Sequence, residues 1–471
     1  MVGLVIRLVA ALLSGAMLAQ AHSLEPLWPI AWFAPIPLLL AVANARSSVA
    51  ALLGAITGAA SVGGLFAYLL SLGGPAPVAI VVALDALTWA LIALAWRAGV
   101  RRLPNLAAIL VLPTMAMGLE TLIASYSPHG SANSLAYSQM DFLPAIQIAA
   151  FGGAPAVTFL VGLFAATAAL MIIRRSLFAA VAPGLILAAA LGWGWSRIPP
   201  SAPLRESEVL HVALLAGDQF GGVPQDWRPV FEAYAAQVEM AADGDHRIVV
   251  MPEKIAFLNE AEREAALERF AEIARRRDVV LVVGVDVEEE GARYNRAYVF
   301  RSDGERLSYD KRHMIPGLEQ RYTPGRQSVS FERGASRLGV AICKDMDFPA
   351  LGRSYPGVRV MLVPAWDFGV DRWLHSRMAI LRGVENGYTI VRSARNGALT
   401  VSDRYGRVLA EAVSGPQTLF EAEAPLGAPG PTIYERVGDV FGWASLALFL
   451  LLVIWAGFSR TRAGQNSTKA D

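Results

Sequence analysis

GVAICKDMDFP, residues 339–349, runs from an apolar, strand-like segment into a Lys-Asp pair, and at the junction stands Cys343, the only cysteine among 471 residues. A strand that ends on a thiol with polar residues just beyond it fits an α/β sheet whose end loops carry reactive groups. Taken singly, such a cysteine reads more readily as a small buried hydrophobe than as a nucleophile. Its neighbours along the chain decide between the two.

Segment 208–216 (EVLHVALLA) reads as a strand, 228–242 as a helix with one apolar face, and 247–253 (RIVVMPE) as a short buried strand that ends on Glu253. NEAEREAALERFAEIARRR, 259–277, reads as a helix with Asn259 as N-cap, its acids early and bases late to complement the helix dipole. DVVLVVGVDV (278–287) follows as a strand, RAYVFRSDGERLSYDK (296–311) as a hairpin about Ser-Asp-Gly, and SRLGVAIC (336–343) and VRVMLVPAW (358–366) as further buried strands. Apolar strands alternating with amphipathic helices predict a layered α/β domain over 199–436. Three polar residues, Glu253, Lys311 and Cys343, each fall at or just after a strand end. Lysine is rare in this chain: Lys254, Lys311, Lys344 and Lys469 are the only four among 41 basic residues. A chain that uses arginine almost everywhere keeps lysine where a compact point donor is needed.

The rest of the chain is of another kind. With 54% hydrophobic residues, 17% charged residues and a mean hydropathy of +0.42, the whole is too apolar for an ordinary soluble protein. Since about 20 apolar residues cross a bilayer core of roughly 30 Å, segments 4–20, 27–43, 48–70, 77–96, 105–124, 145–173, 178–195 and 439–458 are expected to span a membrane. The expected organisation is an N-terminal membrane domain (1–198) of about seven helices, a catalytic domain (199–436), and a last helix with a tail (437–471). Arg46, then Arg97, Arg101 and Arg102, then Arg174 and Arg175 mark alternate connections, and Arg460, Arg462 and Lys469 follow the last segment. The intervening connections have no Lys or Arg, so the basic ends are cytoplasmic and 199–436 is extracytoplasmic. Segment 1–20 also fits a cleaved signal peptide, because LVAALLSGAMLAQA ends in an A-x-A-like sequence; the orientation of the rest is the same either way. A net charge of +1 without a basic stripe points away from nucleic acid. One cysteine excludes an internal disulfide, and neither a Cys/His ligand cluster nor a phosphate loop is visible, so no metal or other cofactor is expected.

VVMPE at Glu253, YDKRHMIPGLE at Lys311 and GVAICKDMDFP at Cys343 together resemble the nitrilase, or carbon-nitrogen hydrolase, superfamily. That superfamily carries its Glu, Lys and Cys triad in this order on an αββα sandwich, with a second glutamate where Glu319 stands. HSRMAILRGVENGYTIVRSARNGALTVSDRYGRV (375–408) looks like its third region. PLWPIAWFAPIPLLLAVA (26–43) and TIYERVGDVFGW (432–443) resemble membrane-flanking segments of one branch, the apolipoprotein N-acyltransferases of bacterial envelopes. The implied architecture is a polytopic α-helical membrane domain plus a nitrilase-like α/β domain.

A free thiol, with a pKa of about 8.5, needs a neighbouring base or cation to become an effective nucleophile. The resemblance implies Glu253 as that base and Cys343 as the nucleophile. Lys311 and the backbone N–H of Lys344 would be the oxyanion donors, and Glu319 would hold Lys311. It further implies a membrane phospholipid as acyl donor and the N-terminus of a diacylated lipoprotein as acceptor. Lys344, Tyr322, Trp366 and His375 are the substrate-side candidates, with Trp373 beside them; Lys344 paired with Asp345 or Asp347, and His313 and His375 as structural hydrogen-bonders, are the plainer readings. This chain departs from the branch in having Lys344 and Asp345 after the nucleophile in place of Tyr and Glu, and Pro364 and Ala365 in place of Asn and Asp. The loop SYSPHGSANSLAYSQ (125–139) keeps Tyr-Ser-Gln but lacks a preceding Gly-Phe-Pro-Trp. A membrane-anchored amidase that uses water as acceptor is the second expectation.

Overall fold

Along β1 (Val209–Ala216), Val212, Leu214 and Ala216 join one apolar core while Ala213 and Leu215 join another. Successive strand residues face opposite sides of a sheet, so this strand is covered on both faces. The division continues through β2 (Ile248–Val250), β4 (Val280–Glu289) and β5 (Ala292–Phe300). Val250, Val282 and Val299 lie with Val212, whereas Val249, Leu281 and Val283 pack with Phe231 and Phe270 of the helices Arg228–Asp243 and Glu260–Arg277. Asn259 caps the second of these helices by accepting from Glu262 N at 2.9 Å, as its sequence predicts.

These strands, with β3 (Phe257–Leu258), β6 (Arg306–Asp310) and β13 (Thr418–Pro425), form a sheet ordered β13-β1-β2-β4-β5-β6, with β3 paired to β4 off this path. A second sheet is ordered β12-β11-β10-β9-β8-β7. Its strands in chain order are β7 (Val329–Arg333), β8 (Ser336–Val340), β9 (Val358–Trp366), β10 (Thr389–Arg395), β11 (Ala398–Ser402) and β12 (Val408–Val413). Val340, Leu362, Val391 and Val401 share the inner core with Val212, while Met361, Val363 and Ile390 pack outward with Ala379 of the helix Arg372–Asn386. The result is the expected αββα sandwich. In both sheets the middle strands are parallel, β1-β2-β4 and β8-β9-β10. Pro364 is accommodated within β9 because the ladder with β8 ends at Val340 opposite Leu362.

The computed structural model describes residues 2–200, 208–243, 247–334, 336–427 and 430–459. It divides into two compact units: Met1–Ile123 with Asn133–Ile198 and Val437–Asp471, and Pro199–Arg436 together with Ala124–Ala132. The loop 124–132 groups with the sandwich.

In the helical unit, seven helices among the described residues are long and apolar enough to cross a membrane: Gly3–Ala21, Ser47–Gly64, Pro75–Arg102, Asn105–Tyr126, Ala154–Arg174, Leu177–Arg197 and Val440–Phe458. Three expected segments differ: the helix expected over 48–70 ends at Gly64, and a separate helix, Phe66–Gly73, follows Leu65. Segment 27–43 is divided into Trp28–Phe33 and Ile36–Val42, each with a proline in its first turn. Segment 145–173 breaks at Gly153, whose φ of 75° ends one short helix before Ala154–Arg174 begins. Gln139 steadies the divided segment, accepting from Trp32 Nε1 at 2.7 Å and donating to the Trp28 carbonyl at 2.9 Å. The basic tail residues Arg460, Arg462 and Lys469 lie outside the described residues.

Candidate active site

Glu253 sits three residues beyond β2, and its backbone N–H donates to the Ala365 carbonyl of β9 at 3.2 Å, so this loop reaches from one sheet to the other. Gly284 of β4 permits the approach: a Cβ there would stand 2.4 Å from the Pro252 carbonyl oxygen and 2.8 Å from Glu253 Cα. Lys311 follows β6 and is fixed by its N–H to the Asn295 carbonyl at 2.8 Å. Its ammonium, wholly buried, lies 2.9 Å from Glu253 Oε1 and 2.7 Å from Glu319 Oε2.

A second lysine completes the group. Lys254 Nζ is 2.5 Å from Glu319 Oε1 and 3.6 Å from Glu253 Oε1, so two ammonium groups and two carboxylates alternate around a closed ring. The Asn295 amide donates to both carboxylates, to Glu253 Oε1 and, at 3.1 Å, to Glu319 Oε1. Burial acts to raise the Glu319 carboxyl, but Lys311 and Lys254 outweigh it and hold it at about 2. Burial likewise opposes charge on Lys311, yet the Glu253 and Glu319 carboxylates keep its pKa well above the ordinary lysine range. The sequence motifs brought Glu253, Lys311 and Glu319 to one place; they gave no sign of Asn295 or of the part Lys254 takes.

Cys343, three residues beyond the end of β8, begins a short 3-10 turn, Cys343–Asp347, with φ at 45°. A left-handed φ at a non-glycine residue is uncommon and turns the side chain sharply out of the strand direction. The Sγ lies 3.7 Å from the Trp366 carbonyl oxygen. Burial and the Glu253 carboxylate push the thiol well up, against the pull of Lys311 and Arg392, so it rests as a neutral thiol. The thiol thus lies within the electrostatic reach of the Glu253 carboxylate and the buried Lys311 ammonium.

Residues 14–167 match the family described as apolipoprotein N-acyltransferase N-terminal domain, and residues 211–433 match carbon-nitrogen hydrolase. An apolipoprotein N-acyltransferase of Geobacter metallireducens is 28% identical, over 93% of this chain and 92% of that protein. The chain belongs to the apolipoprotein N-acyltransferase family. A second such protein, from Rhodopseudomonas palustris, is 31% identical over 45% of each chain. Among solved structures, a mutant of the Nesterenkonia sp. AN1 amidase of the nitrilase superfamily is 21% identical, with a TM-score of 0.44, covering 50% of this chain and 96% of that one.

The departures of this family member have definite places. Lys344 pairs with Asp347 at 3.1 Å, one of the two partners expected for it. Asp345 is fully buried and accepts from Tyr309 Oη, Ile342 N, Arg312 N, His313 N and His313 Nδ1 at 2.7–3.2 Å. The turn at Cys343 and the segment after Lys311 are thereby fastened to one carboxylate. Pro364 and Ala365 are buried β9 residues, and Ala365 belongs to the core between the sheets.

Of the residues expected on the substrate side, the Tyr322 hydroxyl donates to Asp286 at 2.6 Å, and the Tyr322 and Trp366 rings lie 5.2 and 5.3 Å from Lys254 Nζ. His375 stands 3.4 Å from Asp367 and 3.5 Å from Asp371; burial works against its charge, but these carboxylates outweigh it and raise its pKa. His313 stacks on Phe348 at 3.6 Å. Ser131, in the loop 124–132, gives the Asp347 carbonyl two hydrogen bonds, from N at 2.9 Å and from Oγ at 2.7 Å.

Proposed function

We propose that this protein transfers a fatty acyl chain from a membrane phospholipid to the N-terminus of a lipoprotein, with Cys343 as the acyl carrier. The ring of Glu253, Lys311 and Glu319 beside the lone thiol carries the reading, on a chain related over nearly its full length to an apolipoprotein N-acyltransferase.

Cys343 Sγ attacks the ester carbonyl carbon of the phospholipid as Glu253 accepts the thiol proton. The carbonyl oxygen, now anionic, takes hydrogen bonds from Lys311 Nζ and the Lys344 N–H; one such donor stabilises the transition state by about 3–4 kcal/mol. The C–O bond breaks, Glu253 returns the proton to the departing alkoxide, and a lysophospholipid leaves behind a thioester on Cys343. The α-amino group of a diacylglyceryl-cysteine then attacks the thioester carbon, Glu253 takes the amine proton, and the C–S bond breaks. An amide forms and the thiolate regains its proton. Glu319, held at about 2, stays ionised throughout; it orients Lys311 and exchanges no proton.

The family and the seven long apolar helices make this a multi-pass membrane protein. We place it in the bacterial inner membrane with the sandwich on the extracytoplasmic side. In that orientation Arg46, Arg97 and Arg174, separated from one another by pairs of spanning helices, share the cytoplasmic face, and the divided pair Trp28–Val42 decides only on which side the connection before it lies.

Incubation with phosphatidylethanolamine, followed by intact-mass analysis, should show one fatty-acyl adduct on Cys343. Adding a diacylated lipopeptide should discharge it onto the peptide amine. Rapid loss of the adduct into water without peptide would instead make the protein a hydrolase, and acyl transfer that survives Cys343→Ala would remove the mechanism.

A further inference from the structure

Glu319 has enough hydrogen-bond donors without Lys254. Its Oε2 accepts from Lys311 and, at 3.0 Å, from Ile315 N, while its Oε1 accepts from the Asn295 amide. Even so, Lys254 bends inward at φ 51°, a conformation costly for a side chain with a Cβ, and leaves only 8% of its surface exposed. The turn is pinned by Arg395, which donates to the Lys254 carbonyl at 3.1 Å and stacks its guanidinium on Trp366. What Lys254 adds at this position is a positive charge. Without it, Glu253, Glu319 and Lys311 would sum to −1 beside the thiol.

The surrounding charged groups are largely matched among themselves. Arg392 pairs with Asp367, which also faces His375, and Arg293 pairs with Asp286 behind the Tyr322 ring. Arg395, on the far side of Trp366, donates to backbone carbonyls. The ring itself is therefore the charge that the Cys343 thiol meets most directly.

We propose that Lys254 is a charge-balancing positioning residue: by making the buried ring neutral it permits a thiolate to form at Cys343 and leaves the Lys311 ammonium a donor for the substrate oxygen. The inference rests on Cys343 as the reacting group of the proposed acyl transfer. Its test, however, needs no lipid.

Because the chain has one cysteine, alkylation of the full-length protein by iodoacetamide in detergent, followed by intact mass across pH 6–10, reports on Cys343 alone. Removing a unit charge within the site should displace the rate curve of Lys254→Met upward by about one pH unit or more and slow alkylation at pH 7.5 about tenfold. Lys254→Arg, which keeps the charge, should recover most of the rate. Lys254→Met combined with Glu319→Gln removes one charge of each sign, leaves no buried carboxylate without its partner, and should return the curve close to wild type. A Lys254→Met curve that overlays wild type would overturn the proposal, as would a double variant displaced as far as the single one. Failure of the acyl-transfer reading would appear separately, as a missing phospholipid adduct with these alkylation shifts intact.

Discussion

The carboxylate of Asp345 accepts the hydroxyl hydrogen of Tyr309 at 2.7 Å, in a site closed to solvent. The same group holds Ile342 N, just before Cys343, and Arg312 N and His313 N, just after Lys311. Asp345→Asn exchanges an acceptor for an amide that turns hydrogens toward donors, and should cost about 3 kcal/mol of stability. Tyr309→Phe deletes one bond and should cost about 1 kcal/mol. Thermal unfolding measures both, and acylation of Cys343 should fall further in Asp345→Asn than its stability loss alone explains, because Cys343 and Lys311 lose their spacing.

Gly284 is the cheapest place to move Glu253 without touching it. A Cβ there would meet the Pro252 carbonyl oxygen at 2.4 Å, backbone that cannot swing aside. Gly284→Ala should therefore cost about 1–3 kcal/mol and displace the Glu253 loop. Formation of the thioester should slow about 100-fold, the loss that a misplacement of about 1 Å brings. Normal acylation by a folded Gly284→Ala protein would mean that Glu253 tolerates a shifted loop.

Much of the site was legible because its parts are local: a strand, a short loop, and a polar residue at Glu253, Lys311 and Cys343. Lys254 was not, since neighbouring residues in extended chain point apart, and the left-handed turn at Lys254 accompanies the entry of both side chains into one ring, Glu253 against Lys311 and Lys254 against Glu319. Asn295 was hidden for a different reason. It reaches Glu253, 42 residues away, through the pairing of β4 with β5 and of β5 with β6, which no single segment encodes. In the membrane unit, overall hydropathy hid the prolines that divide 27–43, because a proline lowers apolar character little while it breaks the helical ladder.

Glu319 gives the fold a definite acid limit. Its carboxyl lies at about 2 in the folded protein against an ordinary 4.5, so the unfolded chain binds the proton first as pH falls. The contribution is complete above about pH 4.5 and is lost as pH falls from there toward 2, amounting to about 3 kcal/mol. Unfolding temperatures followed over this range should drop for wild type and change less steeply for Glu319→Gln, whose amide does not titrate. Parallel curves for the two proteins would assign the acid sensitivity elsewhere.

The loop 124–132 offers a graded test of how firmly the nucleophile turn must be held. Ser131→Ala removes the Oγ bond to the Asp347 carbonyl but keeps the backbone bond, and should cost about 1 kcal/mol with little change in acylation. Gly130 stands at φ 56°, and a Cβ there would come 2.5 Å from the same carbonyl oxygen. Gly130→Ala therefore suffers both backbone strain and a clash, together about 2 kcal/mol or more, and pushes on the turn that begins at Cys343. Single-turnover acylation should slow about tenfold in Gly130→Ala, the rate effect of about 1.4 kcal/mol in the barrier, and remain near wild type in Ser131→Ala. Equal rates in both variants, with both folded, would show that the turn keeps its geometry without this loop.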